Sequence, residues 1–551
     1  MVARGIGPRS ARTSGQGLLL NALDENRGPA PSTAAFLVRT SLLLAGATFL
    51  SRILGLVREM LIANYYGSSG QTDAFFYALI IPELLRTLII SGAVASVFVP
   101  LMTTAQQDGT PEKARKLAGL MLSFISVLAI AVVIFGEFLA PALVSLSQVM
   151  SFASEPLDPQ IHALTTELIR VFLPVILLVS LWGLMGGILN TFDNFHTPGF
   201  APLVWNGTII VLLLILGRYG DVHHIAWAFV IGHTIQVAYH IPALIRLGIF
   251  PVRIDWKHPL LLEFIRLAPA AVLAYAANAV NAFIGQGIAL NLSESAASSL
   301  AYSFRIAQLP MAVFGVSVAT AMFPTLSRHS AAGEDKEVVL TLARGIRMTA
   351  LATLPAIVFF MTLPEESIRL LLERGQFTNQ NTVDVAAALY CYSWAIMPVS
   401  ILTLTARTFF SQKDTKTPAI LGIFSIVVFY IVALVMSKYL SFLGIALANA
   451  LIAWAILIIS LVILQLRFRK HLSLMQAIGI RNINVLLIAG IIQGAVLTAY
   501  RDYFHDVSGT LNLLGFLLAG AAVGGFVFIG VLKLAKSDDL EATLRNILRK
   551  R

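Results

Sequence analysis

Fourteen stretches of this chain are apolar for long enough to cross a bilayer, and only short polar breaks separate them. They run near 35–65, 73–102, 114–140, 162–190, 200–217, 224–247, 261–290, 296–327, 340–363, 382–410, 418–437, 442–466, 481–500 and 511–535. A spanning helix needs about 20 such residues. Composition agrees, with 57% of the 551 residues hydrophobic and 12% charged, against about 25% charged for a soluble domain. The expected fold is an all-α polytopic membrane protein of about fourteen transmembrane helices.

The formal net charge of +10 would suit a nucleic-acid binder only if the cations clustered on a soluble face. They do not. Lys and Arg in short loops mark the cytoplasmic side. With the N-terminus inside, 28 of the 39 cations fall on inner loops and tails, among them Lys113, Arg253, Arg344, Lys416 and Arg469. Only five, Arg218, Arg369, Arg374, Lys438 and Arg501, fall outside. Both termini are therefore expected in the cytoplasm, and nucleic acid is excluded as a partner. Residues 1–33 read as a disordered basic tail. Ser537 to Arg551 read as an amphipathic surface helix.

The chain repeats itself. Pro100 and Pro324 lie 224 apart, Pro141 and Pro364 lie 223 apart, and Pro174 and Pro398 lie 224 apart. Thr197-Pro198 recurs 220 residues later as Thr417-Pro418. One period holds six helices, an even number, so both copies keep the same orientation. Parallel repeats of this kind are related by an axis along the membrane normal, with a cavity between two lobes. The expected lobes are 34–250 and 251–470, followed by a helix pair and tail in 471–551. That is transporter organisation.

Six cations remain, at Arg52, Arg58, Arg86, Arg170, Arg266 and Arg305. A charge at the bilayer centre costs about 2.5 to 3.5 kcal/mol on insertion scales and normally faces a cavity. Arg170 and Arg266, near helix starts, are expected to snorkel. On the first span Arg52 and Glu59 are seven apart on one face, next to Ser51 and Arg58; the second carries Asp73, Pro82, Glu83 and Arg86, with a kink expected at Pro82. Arg305 stands on the eighth. The bland reading pairs these arginines with Glu59, Asp73 and Glu83. Four cations against three acids leave an excess, and the guanidinium fork suits phosphate oxygens, so an anionic ligand is expected.

Other chemistry is sparse. The single Cys391 excludes an intrachain disulfide and CxxC metal sites. His223, His224, His233 and His240 have no Cys or carboxylate at ligand spacing. No Walker loop, Ser-His-Asp pattern or Gly-rich dinucleotide turn occurs, so no enzymatic activity and no bound cofactor is expected. Gly490-xxx-Gly494 and Gly520-xxx-Gly524 allow close packing of the last two spans, as a simple pair or around a lipid chain.

Ser51-Arg52-Ile53-Leu54-Gly55-Leu56-Val57-Arg58, Thr72-Asp73-Ala74-Phe75-Phe76, Leu84-Leu85-Arg86, Gly187-Ile188-Leu189-Asn190-Thr191 and Asp414-Thr415-Lys416-Thr417-Pro418 together resemble the MurJ/MviN family of bacterial lipid II flippases. The family belongs to the multidrug/oligosaccharidyl-lipid/polysaccharide exporter superfamily. The resemblance runs in order from about Ala35 to Pro418. It implies transfer of an undecaprenyl-diphosphate-linked peptidoglycan precursor, lipid II, between leaflets of the bacterial cytoplasmic membrane by alternating access. It maps the family's cavity arginines onto Arg52, Arg58, Arg86 and Arg305, with Ser51, Glu59, Asp73 and Glu83 as supporting residues. Sodium or the membrane potential is implied as the coupling force, with Asn278, Asn281 and Asp414 as sodium candidates. Membrane lipid, the polyprenyl-diphosphate saccharide and other cell-wall synthesis proteins are the implied partners of a monomer. Phe304, Glu83 and Ser91-Gly92 depart from the family pattern. The alternatives are a flippase for another polyprenyl-diphosphate glycan, a cation-coupled exporter of the same superfamily, or a membrane scaffold that transports nothing.

Overall fold

The computed structural model describes residues 33–107, 111–152, 156–469, 472–504, 507 and 509–535. The two expected tails lie outside these residues, apart from Thr33. Helices make up the described chain, with no strand among the described residues. In order they are α1 (Thr33–Tyr66), α2 (Gly70–Arg86), α3 (Val99–Gln107), α4 (Pro111–Ser151), α5 (Pro159–Thr191), α6 (His196–Leu216), α7 (Val222–Arg246), α8 (Pro259–Ala289) and α9 (Ala296–Pro310). There follow α10 (Val316–Ala331), α11 (Asp335–Thr362), α12 (Pro364–Leu372), α13 (Asn379–Ser411), α14 (Lys416–Phe468), α15 (Leu474–Ile478), α16 (Ile480–Tyr503) and α17 (Thr510–Leu534).

Among the described residues ten helices are long and apolar enough to cross a membrane, against the fourteen expected. Two expected spans are covalently continuous in α14, which runs 53 residues and turns at Ser441, where φ is 49° and ψ is −139°. Gly444 lies just past that joint, where a Cβ would stand 2.4 Å from the Met436 carbonyl. The expected spans near 35–65, 73–102 and 261–290 coincide with α1, with α2 to α3, and with α8. The short helices α12 and α15 were not expected; each is too brief for a hydrophobic period to register.

Local signals set the helix ends. Asp158 accepts the Gln160 N–H at 2.7 Å ahead of Pro159, and Asp221 accepts the His223 N–H at 2.9 Å. Each satisfies one of the donors that a helix start leaves free. Downstream of Pro82 the helix widens into a π-helical stretch, Thr87–Phe98, that leads into α3. The corresponding helix of the second repeat does the same after Pro310, over Met311–Gly315. Such stretches relax the i to i−4 ladder and are often found at functional sites.

Helices α1, α2, α4, α5, α6 and α7 pack chiefly on one another, as do α9 to α14, while α8 touches α2, α4 and α14. The last pair, α16 and α17, packs together and against α11. Gly520 and Gly524 allow that approach: a Cβ on Gly524 would stand 3.1 Å from Gln493 and 3.2 Å from Leu497. Large aliphatic and aromatic side chains on the outer faces, such as Phe138, Ile420, Ile491 and Phe526, are exposed, as expected where lipid replaces water as the solvent.

Candidate functional site

The first helix brings its charges to one face because Arg52 and Glu59 are separated by two helical turns. The structure gathers them with Arg305 of α9 around a cavity of about 200 Å³, lined by Arg52, Gly55, Leu56, Arg58, Glu59, Tyr302, Arg305, Ile306, Gln308, Leu309 and Leu372. Arg58 and Glu59 are buried, at 8% and 5% exposure. Arg305 is half-buried and Arg52 is exposed.

Glu59 is the centre of this group. Its Oε1 accepts Arg58 Nε at 3.2 Å and Arg58 Nη2 at 2.5 Å, and it also accepts Arg305 Nη1. One carboxylate oxygen therefore joins guanidinium groups from residues 247 positions apart. Its other oxygen is buried without a hydrogen-bond partner. Arg52 makes no ion pair among the described residues, so the lining holds three cations to one carboxylate. The excess lies on the open side of the group, with Arg52 exposed and Arg305 half-buried, where a further anion can reach it.

Aromatic faces complete the setting. Arg58 lies over the rings of Trp205 and Phe229, at 4.7 and 5.2 Å to the centroids, and Arg305 lies over Phe76 at 5.1 Å. These are cation–π distances. Asn206 of α6 accepts Arg58 Nη1 at 3.1 Å and donates to the Ser51 carbonyl and hydroxyl, both at 3.2 Å. Trp205 and Asn206 escaped the sequence reading because an amide within an apolar run carries no charge to draw notice.

Not every expected residue joins the group. Arg86 Nε bonds Glu83 Oε2 at 2.8 Å, one turn away on the same helix, and neither residue lines the cavity. Asp73 meets no arginine among the described residues. Its Oδ1 takes the Ser298 N–H at 2.7 Å and the Ser298 hydroxyl at 2.6 Å, capping the first turn of α9. Arg170, expected to snorkel near a helix start, lies eleven residues into α5 and approaches Glu137 of α4 at 3.7 Å.

Asp73 belongs instead to a seam between the turn before α2 and the turn before α9. Ser295 Oγ donates to the Ser68 carbonyl at 2.7 Å, and Ser68 Oγ reaches the Ser295 carbonyl at 3.5 Å and Ser298 Oγ at 2.7 Å. Gly70 N–H reaches Glu294 at 3.3 Å, and Tyr302 Oη donates to the Gly67 carbonyl at 3.0 Å. The loop after α12 closes over the same place, with Gln376 N–H on the Asn64 carbonyl at 2.9 Å. Gly67 and Gly375 lie in that contact with φ of +64° and +56°, where a Cβ would stand 2.6 Å from the Gln376 oxygen and 2.2 Å from the Asn64 oxygen respectively.

Two of the sodium candidates, Asn281 and Asp414, do not come together. Asn281 Nδ2 meets Ser425 Oγ at 3.4 Å, nine residues along α14 from Lys416, a rise of about 14 Å. Asp414 sits in the turn before that helix, where it accepts the Thr417 N–H at 2.9 Å, the Thr417 hydroxyl at 2.7 Å and Arg467 Nη2 at 2.5 Å. The side chain of Asn278 lies outside the described residues. Among the described residues no group of three or more His, Cys, Asp or Glu is arranged to hold a metal.

Comparison with known proteins places the chain in a family. The sequence model described as lipid II flippase MurJ matches residues 62–515. A relative from Buchnera aphidicola, called a probable lipid II flippase MurJ, is 28% identical over 493 residues, covering 88% of this chain and 95% of its own. The solved structure of a lipid II flippase MurJ in an inward closed conformation superposes with a TM-score of 0.75 at 24% identity, over 90% of this chain and 98% of that one. An inward-facing multidrug resistance MATE family transporter of the MOP superfamily gives a TM-score of 0.62 at 15% identity, over 76% and 95%. At these identities the two structures are similar in fold.

Proposed function

Because the chain belongs to the lipid II flippase MurJ family, we propose that it carries lipid II from the inner to the outer leaflet of the bacterial cytoplasmic membrane by alternating access. The family is one of transporters, so no covalent bond is made or broken. The observation that carries the reading is the convergence of Arg58 and Arg305 on one oxygen of Glu59, with Arg52 unpaired on the same cavity wall.

A diphosphate offers several anionic oxygens to such a set, and each charge-assisted bond to a guanidinium is about twice as strong as a neutral one. Glu59 acts as the resident anion that incoming phosphate displaces. Arg305 exchanges first, because its side chain is 26% exposed where that of Arg58 is 9%. Arg86 joins only after parting from Glu83. The polyprenyl tail stays in lipid, since each buried CH₂ is worth about 0.8 kcal/mol.

A cavity of about 200 Å³ is below the roughly 300 Å³ at which drug-sized ligands are enclosed. The repeats must part to admit a glycopeptide headgroup. With the N-terminus in the cytoplasm, the serine seam lies at the outer end and holds that end shut. Once the anion leaves outward, the membrane potential draws the cationic cavity back, at about 2.3 kcal/mol per charge per 100 mV.

The test is transport by purified protein in vesicles loaded with lipid II, read as headgroup accessibility in the distal leaflet. Arg58→Ala and Arg305→Ala are each expected to lower the rate at least tenfold. Parental rates in both variants would overturn the site.

A further inference from the structure

We infer that Asn206 and Trp205 of α6 are positioning residues for the anion-binding guanidinium of Arg58, fixing its plane so that the Nε–Nη2 edge faces the cavity. The inference rests on the reading of Arg58 as an anion ligand and concerns what aims it.

Arg58 has five N–H donors in a rigid fork. Two nitrogens, Nε and Nη2, are occupied by Glu59 Oε1, and Nη1 is held by Asn206 Oδ1 at 3.1 Å. The Trp205 ring covers the guanidinium at 4.7 Å and is itself stacked on His233, with centroids 5.0 Å apart and planes 27° apart. Trp205 therefore cannot swing freely. An anion that displaces Glu59 takes the Nε–Nη2 edge, while the bond to Asn206 and the ring contact are left intact.

The Asn206 amide has one workable orientation. Its Nδ2 donates to the Ser51 carbonyl, the Ser51 hydroxyl and the Pro202 carbonyl, at 3.2, 3.2 and 3.1 Å. Turned over, it would set N–H against the Arg58 donors and oxygen against two carbonyls. The side chain thus has an acceptor permanently aimed at Arg58, anchored to the first helix and to its own preceding turn. It is 4% exposed, so water does not compete for the bond.

The probe is inorganic pyrophosphate, titrated into the purified full chain in detergent. Asn206→Leu, which keeps the volume and removes the acceptor, is expected to weaken pyrophosphate about tenfold, the scale of one lost hydrogen bond to a charged group. Trp205→Leu is expected to weaken it severalfold, and Trp205→Phe to restore most of the loss by returning a ring face. In an Arg58→Ala background each α6 substitution should cost nothing further, because residues acting through one group are non-additive. A structural role alone would not produce that silence. Parental affinity in Asn206→Leu and Trp205→Leu, or full additivity with Arg58→Ala, overturns the positioning role and leaves the anion site standing. Parental affinity in Arg58→Ala itself overturns both. If Asn206→Leu does not fold, the Trp205 pair decides the same question.

Discussion

Asp73 and Ser298, 225 residues apart, are joined by two hydrogen bonds: the Asp73 carboxylate accepts both the N–H and the hydroxyl of Ser298, at 2.7 and 2.6 Å. The offset matches the spacing of the prolines that reveal the duplication, so a residue of the first repeat caps the equivalent helix of the second. Each such bond is worth about 0.5–1.5 kcal/mol net, so the pair contributes about 1–3 kcal/mol. Asp73→Ala should therefore move the seam toward its open form by about one to two powers of ten. Cysteines placed at Ser69 and Glu294 measure this, through faster labelling by a membrane-impermeant thiol reagent applied from outside.

Glu59→Gln separates binding from release. Removing a unit charge about 5 Å from a bound anion, at an effective dielectric near 20, changes the interaction by about 3 kcal/mol before screening. Pyrophosphate should then bind about tenfold to a hundredfold more tightly, while lipid II transport slows because the resident competitor that helps expel the headgroup is gone. Titration and vesicle transport on the same preparation check both halves.

Ser441 holds a backbone conformation, φ 49° and ψ −139°, that only glycine adopts without cost. Ser441→Gly should stabilise the protein by about 1–2 kcal/mol and raise its thermal midpoint by about 1–2 °C. An unchanged or lower midpoint would mean that the Ser441 side chain contributes more than its backbone costs.

Asp414 lies in a cytoplasm-expected turn outside the spans. Partial burial pushes its carboxyl up, but the Thr417 N–H and hydroxyl and the Arg467 guanidinium outweigh that and hold it down at about 2, from an ordinary 3.8. A carboxylate whose value is lower folded than unfolded adds stability in full above the unfolded value and loses it as pH falls toward the folded one. The stability advantage of the parent over Asp414→Asn should therefore be constant above about pH 5 and shrink between about pH 4 and 2. Thermal unfolding at pH 6 and pH 3 measures the difference.

The spans and the arginines were legible because both are statements about solvent. Long apolar runs have no stable place but lipid or core, and a guanidinium within one must be compensated. Which acid compensates which arginine was not legible. Seven-residue spacing suggested Arg52 for Glu59, yet the carboxylate turns to the adjacent Arg58 and to Arg305, since those are the cations that the packing of α1 against α6 and α9 brings to it. Asp73 read as a partner for arginine because it is an acid near them in sequence. Its real partner is a helix start, which no charge pattern reveals. The joint at Ser441 was legible as the break between the expected spans 418–437 and 442–466, but its backbone geometry was not, because a serine can be forced into a glycine conformation by surrounding packing.

The seam has one further property. Ser68 and Ser295 exchange hydroxyl-to-carbonyl contacts in both directions, so each presents to the other what it receives. The two turns are therefore closed by each other, and the outer end can open only when both repeats let go together.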